Sequence, residues 1–361
     1  MGKSYYDKVL ESVDRTPISS IDIDNAINLS IGEPHYGISD EIIVEIEKSL
    51  KAQETGYNSP QGITQLRKAY LDRISNDFST DVGLANIMIG AGVSNLLNLV
   101  FTSVLSPKDC VVLIEPYYFS YLYLLKQYNV FVEFIPESFS EFDLYRIKRK
   151  VKLILFSNPS NPSGYCMKKS QINLLVEFAG KNDALIVSDE IYHRFVYDGE
   201  FTSMGSVYKN TCTLDGFSKS HSMTGLRLGV ALGPEWLIER MVEYQTHSLI
   251  CVPTCIQKGG IVALNIDIDD KVKQYKRNRD RLYDAITKRF YCNKPQGGFY
   301  LFFDSQRNEM DFINALRKKC DIIATPGSLF TRHTTYVRLA FCVSEEKIDL
   351  ALRRLEKEII I

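Results

Sequence analysis

Residues 214–229 read LDGFSKSHSMTGLRLG, and this stretch carries more information about the fold than any other part of the chain. Its apolar start predicts a strand, which ends among small and hydroxyl residues around one lysine, Lys219. Arg227 follows eight positions later, behind Gly225. A surface loop does not need a lone amine at a strand end with a guanidinium behind it, so we interpret the two as parts of one binding site.

The sequence around this stretch alternates between two patterns from about residue 85 to about residue 233. Apolar runs that predict strands are separated by segments with helical spacing, such as KKSQINLLVEFAGK at 168–181. Continuous apolar strands joined by helices are typical of an α/β domain with a mostly parallel sheet covered on both faces. The predicted strands lie in NIMIGAG, CVVLIEPYY, VFVEFIP, KLILFS, ALIVSDEIY, TCTLDGFSK and LRLGVALGP.

The pattern changes after about residue 255, where one long, basic helical stretch is predicted over 255–290. Two short strand-like runs, FYLFF and YVRLAF, and a charged helix, EEKIDLALRRLEKEI, follow it. This change predicts a second, smaller α+β domain. We expect residues 46–265 to form the large domain, and residues 1–45 and 266–361 to form the small one.

Composition limits the possible partners. The chain has 361 residues and a formal net charge of −1, which argues against a nucleic acid or an anionic membrane as the main partner. The 8 cysteines form no CxxC pair and no zinc-site pattern, so we expect no metal site and no disulfides. The N-terminus has no apolar signal core, and a reducing cytoplasm is the expected compartment.

Several polar residues follow the predicted strands directly. Open parallel sheets bind ligands at the carboxyl ends of their strands, so we expect these residues to lie close together. Each alone has an ordinary explanation, because an Asp there is usually a turn residue and a Lys usually faces solvent. Their joint occurrence in this order predicts a functional site. The set consists of 90–94, Tyr117, Tyr118, 158–164, Asp189, Tyr192 and Lys219.

One coenzyme, pyridoxal 5′-phosphate, uses all of these groups. Its aldehyde requires a lysine amine, and its pyridine nitrogen requires a carboxylate to remain protonated. Its phosphate suits a glycine-containing helix start together with an arginine. Its ring suits an aromatic plate, and its phenolic oxygen suits an amide or phenol donor.

The chain resembles the class I/II aminotransferases, which are fold-type I enzymes dependent on pyridoxal phosphate and include the aspartate aminotransferases. The resemblance implies a large domain with a mostly parallel seven-stranded sheet flanked by helices, and a smaller α+β domain. It extends over nearly the whole sequence. The motifs that carry it are LSIGEP (29–34), GYNSPQGITQLR (56–67), NPSNPSG (158–164), SDEIY (188–192), SKSHSMTGLRLG (218–229), PQGGFY (295–300), TPGSLF (325–330) and YVRLAF (336–341).

The resemblance also implies roles for individual residues. Lys219 would form the Schiff base with the coenzyme and shuttle the substrate proton, Asp189 would pair with the pyridine nitrogen, and Tyr192 would bond the ring hydroxyl oxygen. Arg338 would bind the substrate α-carboxylate, and Tyr57 would reach the phosphate in the neighbouring subunit of a homodimer. The remaining implied coenzyme contacts are Ala91, Gly92, Val93, Tyr118, Asn161, Ser218 and Arg227, and the remaining implied substrate contacts are Gly32 and Asn161.

The implied activity is transfer of an amino group from an L-amino acid to a 2-oxo acid, with ping-pong kinetics. Lyases, synthases and amino-acid oxidases of the same fold share these motifs and remain alternatives. An NAD oxidoreductase is a remote alternative, since GAGVSN at 90–95 resembles an incomplete dinucleotide fingerprint with Glu115 at the next strand end. That interpretation leaves Lys219, Arg227 and Arg338 without a role.

The substrate is left open by the sequence. A dicarboxylate would require a second cation, and nothing in the sequence places Arg15, Arg194 or Arg332 in the site. The tyrosines of 117–123 would suit an aromatic substrate, but helix packing explains them better.

Overall fold

A computed structural model describes residues 26–74 and 82–357. Its strands form one central sheet and two smaller ones. In chain order the strands are β1 (Ile27–Asn28), β2 (Ile87–Gly90), β3 (Cys110–Glu115), β4 (Phe131–Pro136), β5 (Val151–Ser157), β6 (Leu185–Asp189), β7 (Thr211–Gly216), β8 (Gly229–Leu232), β9 (Tyr291–Cys292), β10 (Tyr300–Asp304), β11 (Ile322–Ile323), β12 (Thr325–Pro326) and β13 (Tyr336–Ala340).

The stretch 255–290, expected to be one helical segment, divides into two helices at 264–268. The Asp267 carboxylate accepts the backbone N–H of Asp269 at 2.8 Å, which favours the start of a new helix there. The α-helices are α1 (Asp40–Lys51), α2 (Thr64–Ile74), α3 (Val93–Val104), α4 (Ser120–Leu125), α5 (Glu141–Tyr145), α6 (Lys169–Asn182), α7 (Phe217–Ser220), α8 (Glu235–Ser248), α9 (Thr254–Ala263), α10 (Asp269–Ile286), α11 (Glu309–Cys320) and α12 (Glu345–Lys357).

The central sheet has seven strands in the order β2-β8-β7-β6-β5-β3-β4. Strand β8 runs antiparallel to both of its neighbours, and the other neighbouring pairs are parallel. The predicted mostly parallel, seven-stranded sheet is therefore confirmed. The carboxyl ends of β5, β6 and β7 meet at one edge, because parallel strands all point the same way.

Both faces of the sheet are buried, as the continuous apolar runs predict. In β5, Leu153 and Leu155 pack with residues of α3, α4 and α8, whereas Ile154 and Phe156 pack with residues of α6. This alternation follows from the two-residue period of a strand. A third cluster, which includes Leu66 of α2 and Ala263 of α9, covers the β2 and β8 end of the sheet.

The carboxy-terminal part forms an antiparallel sheet in the order β12-β13-β10-β9, and β1 pairs with β11 in parallel. The predicted strands FYLFF and YVRLAF are the partners β10 and β13. Helix α1 crosses the boundary expected between residues 45 and 46 and packs on α9 of the large part. The division at 45/46 and 265/266 stays a prediction. In the described ranges, no helix combines the length and apolar character needed to cross a membrane.

Candidate active site

A cavity of about 370 Å³ lies at the carboxyl ends of β5, β6 and β7, where the small carboxy-terminal sheet meets the central sheet. Its lining residues extend along the chain from Ser30, which follows β1, to Arg338 of β13. The predicted site residues that line it are Gly32, Val93, Tyr118, Asn161, Asp189, Tyr192, Ser218, Lys219, Arg227 and Arg338.

Lys219 lies in the single turn of helix that follows β7. Its Nζ donates a hydrogen bond of 2.6 Å to the carbonyl oxygen of Gly32, from the segment after β1. Burial lowers the pKa of the Lys219 amine, and the positive charge of Arg338 acts in the same direction. The amine of Lys219 therefore loses its proton more easily than that of an exposed lysine, and the neutral form is the one that acts as a nucleophile or base.

Asp189 is the last residue of β6, and its side chain is buried. Its carboxylate accepts hydrogen bonds from the Tyr121 hydroxyl at 2.7 Å and from the Ile191 N–H at 3.3 Å. Both donors are neutral, and burial raises the pKa of Asp189 to about 6. A cation placed beside this carboxylate would keep it ionised at neutral pH.

Arg338 on β13 is buried among neutral groups. Its Nη1 donates to Asn161 Oδ1 at 3.0 Å, and its Nη2 donates to the carbonyl of Ser30 at 2.7 Å. The guanidinium lies 4.1 Å from the ring centre of Tyr300 and 4.5 Å from that of Phe330. Its Nε has no hydrogen-bond partner among the described residues. A buried cation with an unused donor and no carboxylate partner is suited to an anionic ligand.

A tyrosine that the sequence left without a role lies between these groups. The Tyr300 hydroxyl is 2.9 Å from the Tyr192 hydroxyl, and a Cβ at Gly32 would lie 1.6 Å from it. Only glycine fits beside Tyr300 at position 32. Burial raises the pKa of Tyr300 to about 12, so both phenols remain protonated. The motif PQGGFY contains Tyr300, but its contact with Tyr192 cannot be deduced from the motif.

Tyr121 is the second functional candidate that the sequence missed. Helix packing was the expected explanation for it, yet its hydroxyl bonds to Asp189. The Tyr121 ring also contacts that of Tyr118, with ring centres 5.5 Å apart, so the two tyrosines belong to one aromatic cluster beside Asp189.

The opposite end of the cavity is a cradle formed by Gly92, the start of α3 and Arg227. Gly92 has a φ of +80°, and a Cβ there would lie 2.6 Å from Arg227 Nη2, so glycine is needed for this close approach. The N–H of Gly92 donates to Gly90 O, and that of Ala91 donates to Asn95 Oδ1. The first N–H groups of α3 have no acceptor within the helix, and Val93 and Ser94 of this first turn line the cavity together with Arg227.

Three predicted site residues do not line this cavity, namely Ala91, Gly92 and Tyr57. Ala91 has its N–H engaged as described, and Tyr57 is 84% exposed. Such exposure is expected for a side chain that serves a neighbouring subunit, but it does not place Tyr57 at a phosphate.

The arrangement fits pyridoxal phosphate on the residues themselves. The glycine–arginine cradle suits a phosphate, the buried Asp189 suits a protonated ring nitrogen, and the desolvated amine of Lys219 suits an aldehyde. The unused donor of Arg338 leaves room for the carboxylate of a second molecule.

The family model described as aminotransferase class I and II matches residues 24–355. The chain belongs to this family. The aminotransferase is 30% identical over 347 residues to the aspartate aminotransferase of Thermotoga maritima, with 92% of this chain and 91% of the relative covered. It is 29% identical over 358 residues to aromatic-amino-acid aminotransferase 2 of Thermococcus litoralis, with 93% and 92% covered.

The aminotransferase also matches the crystal structure of the Thermotoga maritima aspartate aminotransferase. The TM-score is 0.89 at 27% identity, with 100% of this chain and 98% of that chain covered. The expected fold type I is therefore confirmed. The protein is a pyridoxal-phosphate-dependent enzyme that transfers an amino group from an amino acid to a 2-oxo acid.

The remote NAD alternative does not account for Glu115. The carboxylate at this strand end, which would have bound a ribose, accepts hydrogen bonds from Thr331 Oγ1 at 2.8 Å and from Arg332 N at 2.7 Å. Glu115 therefore connects the central sheet to the carboxy-terminal part and is not available to a dinucleotide.

Proposed function

We propose that this aminotransferase performs both half-reactions in the cavity around Lys219, with the residue roles that the sequence implied. The observation that carries the proposal is the placement of four groups around one cavity: a desolvated amine, a buried carboxylate, a glycine–arginine cradle and a buried arginine that has no acidic partner among the described residues. Each group answers one functional group of the coenzyme or of an amino acid.

Pyridoxal phosphate supplies, when bound, a carbonyl that condenses with amines and a ring that withdraws electrons from the substrate Cα. Asp189 would hold the ring nitrogen protonated, and the Tyr121 hydroxyl holds the Asp189 carboxylate in place. Tyr192, which is hydrogen-bonded to Tyr300, would donate to the ring oxygen. Ser218, Arg227 and the start of α3 would hold the phosphate, and Tyr118 would cover the ring.

Lys219 moves the proton of the reaction. In its neutral form the amine would accept the proton from the substrate Cα and hold it at Nζ until it is returned. Arg338 and Asn161 hold the substrate α-carboxylate, so that the Cα–H bond faces Lys219. The Gly32 carbonyl, which accepts from Lys219 at 2.6 Å, holds the amine on the substrate side of the cavity.

We propose that the working unit is a homodimer in which Tyr57 of one subunit contributes to the phosphate site of the other. The exposure of Tyr57 and its absence from the cavity of its own chain support this arrangement. The neighbouring Asn58 is fixed by hydrogen bonds to Val252 O and Thr254 Oγ1, so the segment is held in one position on the surface.

We also propose that the enzyme works in the reducing environment of the cytoplasm. In the described residues the cysteines are free, and most of them are buried as small apolar side chains.

The test compares Lys219→Ala with Lys181→Ala, a change of an exposed lysine on α6. Wild-type enzyme reconstituted with pyridoxal phosphate is expected to be yellow. It should convert an amino acid to its 2-oxo acid with loss of this colour and without oxygen consumption. Lys219→Ala should keep its melting temperature and lose more than about a thousandfold in rate. Lys181→Ala should match the wild type.

Transamination by Lys219→Ala at the wild-type rate would contradict the assignment of the lysine. Oxygen consumption in air, or a lasting long-wavelength colour without a 2-oxo acid product, would instead support the oxidase or lyase alternatives.

A further inference from the structure

The charges around the cavity restrict the side chain of the amino acid that enters it. Across residues 26–74 and 82–357, the cations that line the cavity are Lys219, Arg227 and Arg338. Each of them already has a role in the proposed function: Lys219 with the reacting carbon, Arg227 with the phosphate, and Arg338 with the α-carboxylate. A second carboxylate on the substrate therefore finds no cation of its own among these residues.

The arginines that could have supplied such a cation lie elsewhere. Arg332 is held by the Glu115 carboxylate, with Nη2 to Oε2 at 2.8 Å and Nε to Oε2 at 3.1 Å. Arg194 does not line the cavity, and Arg15 lies outside the described residues.

Glu33 adds a negative charge to the cavity. Glu33 lines it, is exposed to solvent, and accepts a hydrogen bond from the hydroxyl of Thr224, which also lines it. The Glu33 charge acts on the Lys219 amine, so it also acts on any charged group brought close to that amine. It would repel a distal carboxylate.

Apolar and aromatic side chains also line the cavity. Ile31, Leu97, Tyr118 and Phe119 line the cavity, and the rings of Tyr118 and Phe119 meet at 4.8 Å. Phe119 in turn contacts Phe330 at 6.0 Å, and Phe330 lies beneath the Arg338 guanidinium. Tyr118 and Phe119 therefore offer an aromatic surface to the cavity, and the buried ring of Phe330 connects them to Arg338, where a substrate side chain would start.

We propose that the preferred amino donor carries an uncharged, apolar or aromatic side chain, and that aspartate and glutamate are poor donors. This inference rests on the proposed function, and it differs from what the names of several relatives would indicate for this chain. Side-chain burial against the aromatic surface supplies affinity for an apolar donor, while a dicarboxylate would place a charge there without a partner.

The experiment uses holoenzyme and follows the loss of the yellow colour in single-turnover reactions. L-phenylalanine, L-leucine and L-methionine are compared with L-aspartate and L-glutamate, as the ratio of maximal rate to dissociation constant. The best uncharged donor should exceed both dicarboxylates by at least about tenfold. Unreactive 3-phenylpropionate should likewise bind more tightly than succinate, measured by calorimetry.

A charge-neutral variant sharpens the test. Glu33→Gln should raise the ratio of aspartate to phenylalanine efficiency by about three- to tenfold, whereas Glu177→Gln, on the exposed face of α6, should leave that ratio unchanged. Equal or better efficiency with aspartate, or tighter binding of succinate, overturns the inference while the proposed function stands. If no donor changes the colour and no 2-oxo acid forms, the proposed function fails together with the inference.

Discussion

Two buried arginines in this protein have opposite surroundings. Arg279 of α10 has an exposed fraction of 0% and Arg338 of β13 has one of 5%, so both are removed from water. Arg279 donates to the carboxylates of Asp198 and Asp280 and to the carbonyl of Pro295. In the described part of the chain, Arg338 has neutral acceptors and an Nε without a partner.

The difference is the one expected between a charge that serves the fold and, as we propose for Arg338, one that serves a ligand. Burying a charge is unfavourable unless it is paired and hydrogen-bonded. At Arg279 the protein provides that compensation itself. At Arg338 the compensation is incomplete until a carboxylate arrives, so part of the unfavourable free energy of burial is recovered on binding. Asp189, a buried carboxylate with neutral donors, shows the same arrangement with the opposite sign.

The strongest test of the comparison removes the charge of Arg338. Arg338→Gln should lower the efficiency of the half-reaction by about 100- to 1000-fold, because the α-carboxylate loses its cation. The melting temperature should stay the same or rise, because an incompletely compensated buried charge is gone. Single-turnover kinetics and calorimetry measure the two effects. A large fall in melting temperature with normal efficiency would reverse the assignment.

The matching change at Arg279 should affect the other quantity. Arg279→Gln removes the buried partner that Asp198 and Asp280 share, although each carboxylate keeps a lysine, Lys276 or Lys294. The free energy of unfolding should fall by about 1.5–3 kcal/mol. The efficiency of the folded holoenzyme should remain within about threefold of the wild type. The control is Arg277→Gln, which lies on the same helix as Arg279 and removes an exposed ion pair to Glu345 of α12. It should change the free energy of unfolding by about 1 kcal/mol or less.

The buried carboxyl of Asp189 should also make the free energy of unfolding depend on pH. The folded pKa of Asp189, about 6, is raised above its ordinary value of 3.8 by burial. The folded chain therefore holds a proton that the unfolded chain has released, so this residue lowers stability as pH rises from about 4 to about 6. The loss should be about 3 kcal/mol in protein without coenzyme.

Asp189→Asn should lack this loss of stability. The loss is measured as the change, between about pH 4 and about pH 6, in the difference between the denaturation midpoints of the wild type and Asp189→Asn. Bound pyridoxal phosphate should also suppress the loss in the wild type, since a protonated ring nitrogen stabilises the carboxylate. Parallel pH curves for the wild type and Asp189→Asn without coenzyme would show that Asp189 is not a buried acid of this kind.

The sequence was sufficient for the sheet and for the coenzyme side of the site. The apolar strands end in polar residues, and parallel strands bring such ends together. Asp189, Tyr192 and Lys219 could therefore be placed in one cavity from the sequence alone. Local patterns were less reliable where a single side chain decides, as at Asp267, which starts a second helix inside 255–290.

What the sequence alone determined is therefore the order of the motifs, the α/β fold and the coenzyme, since each of these depends on residues close together in the chain or on strand order. What only the tertiary structure decided is which buried charges have partners. Arg338 contacts Asn161, 177 residues away in the sequence, and Ser30, 308 residues away. These two contacts, together with the lack of an acidic partner among the described residues, define the proposed substrate clamp. The bond between Tyr121 and Asp189 is also a long-range contact. Local sequence patterns contain no information about such pairs, because the free energy of a buried charge depends on neighbours that only folding brings together.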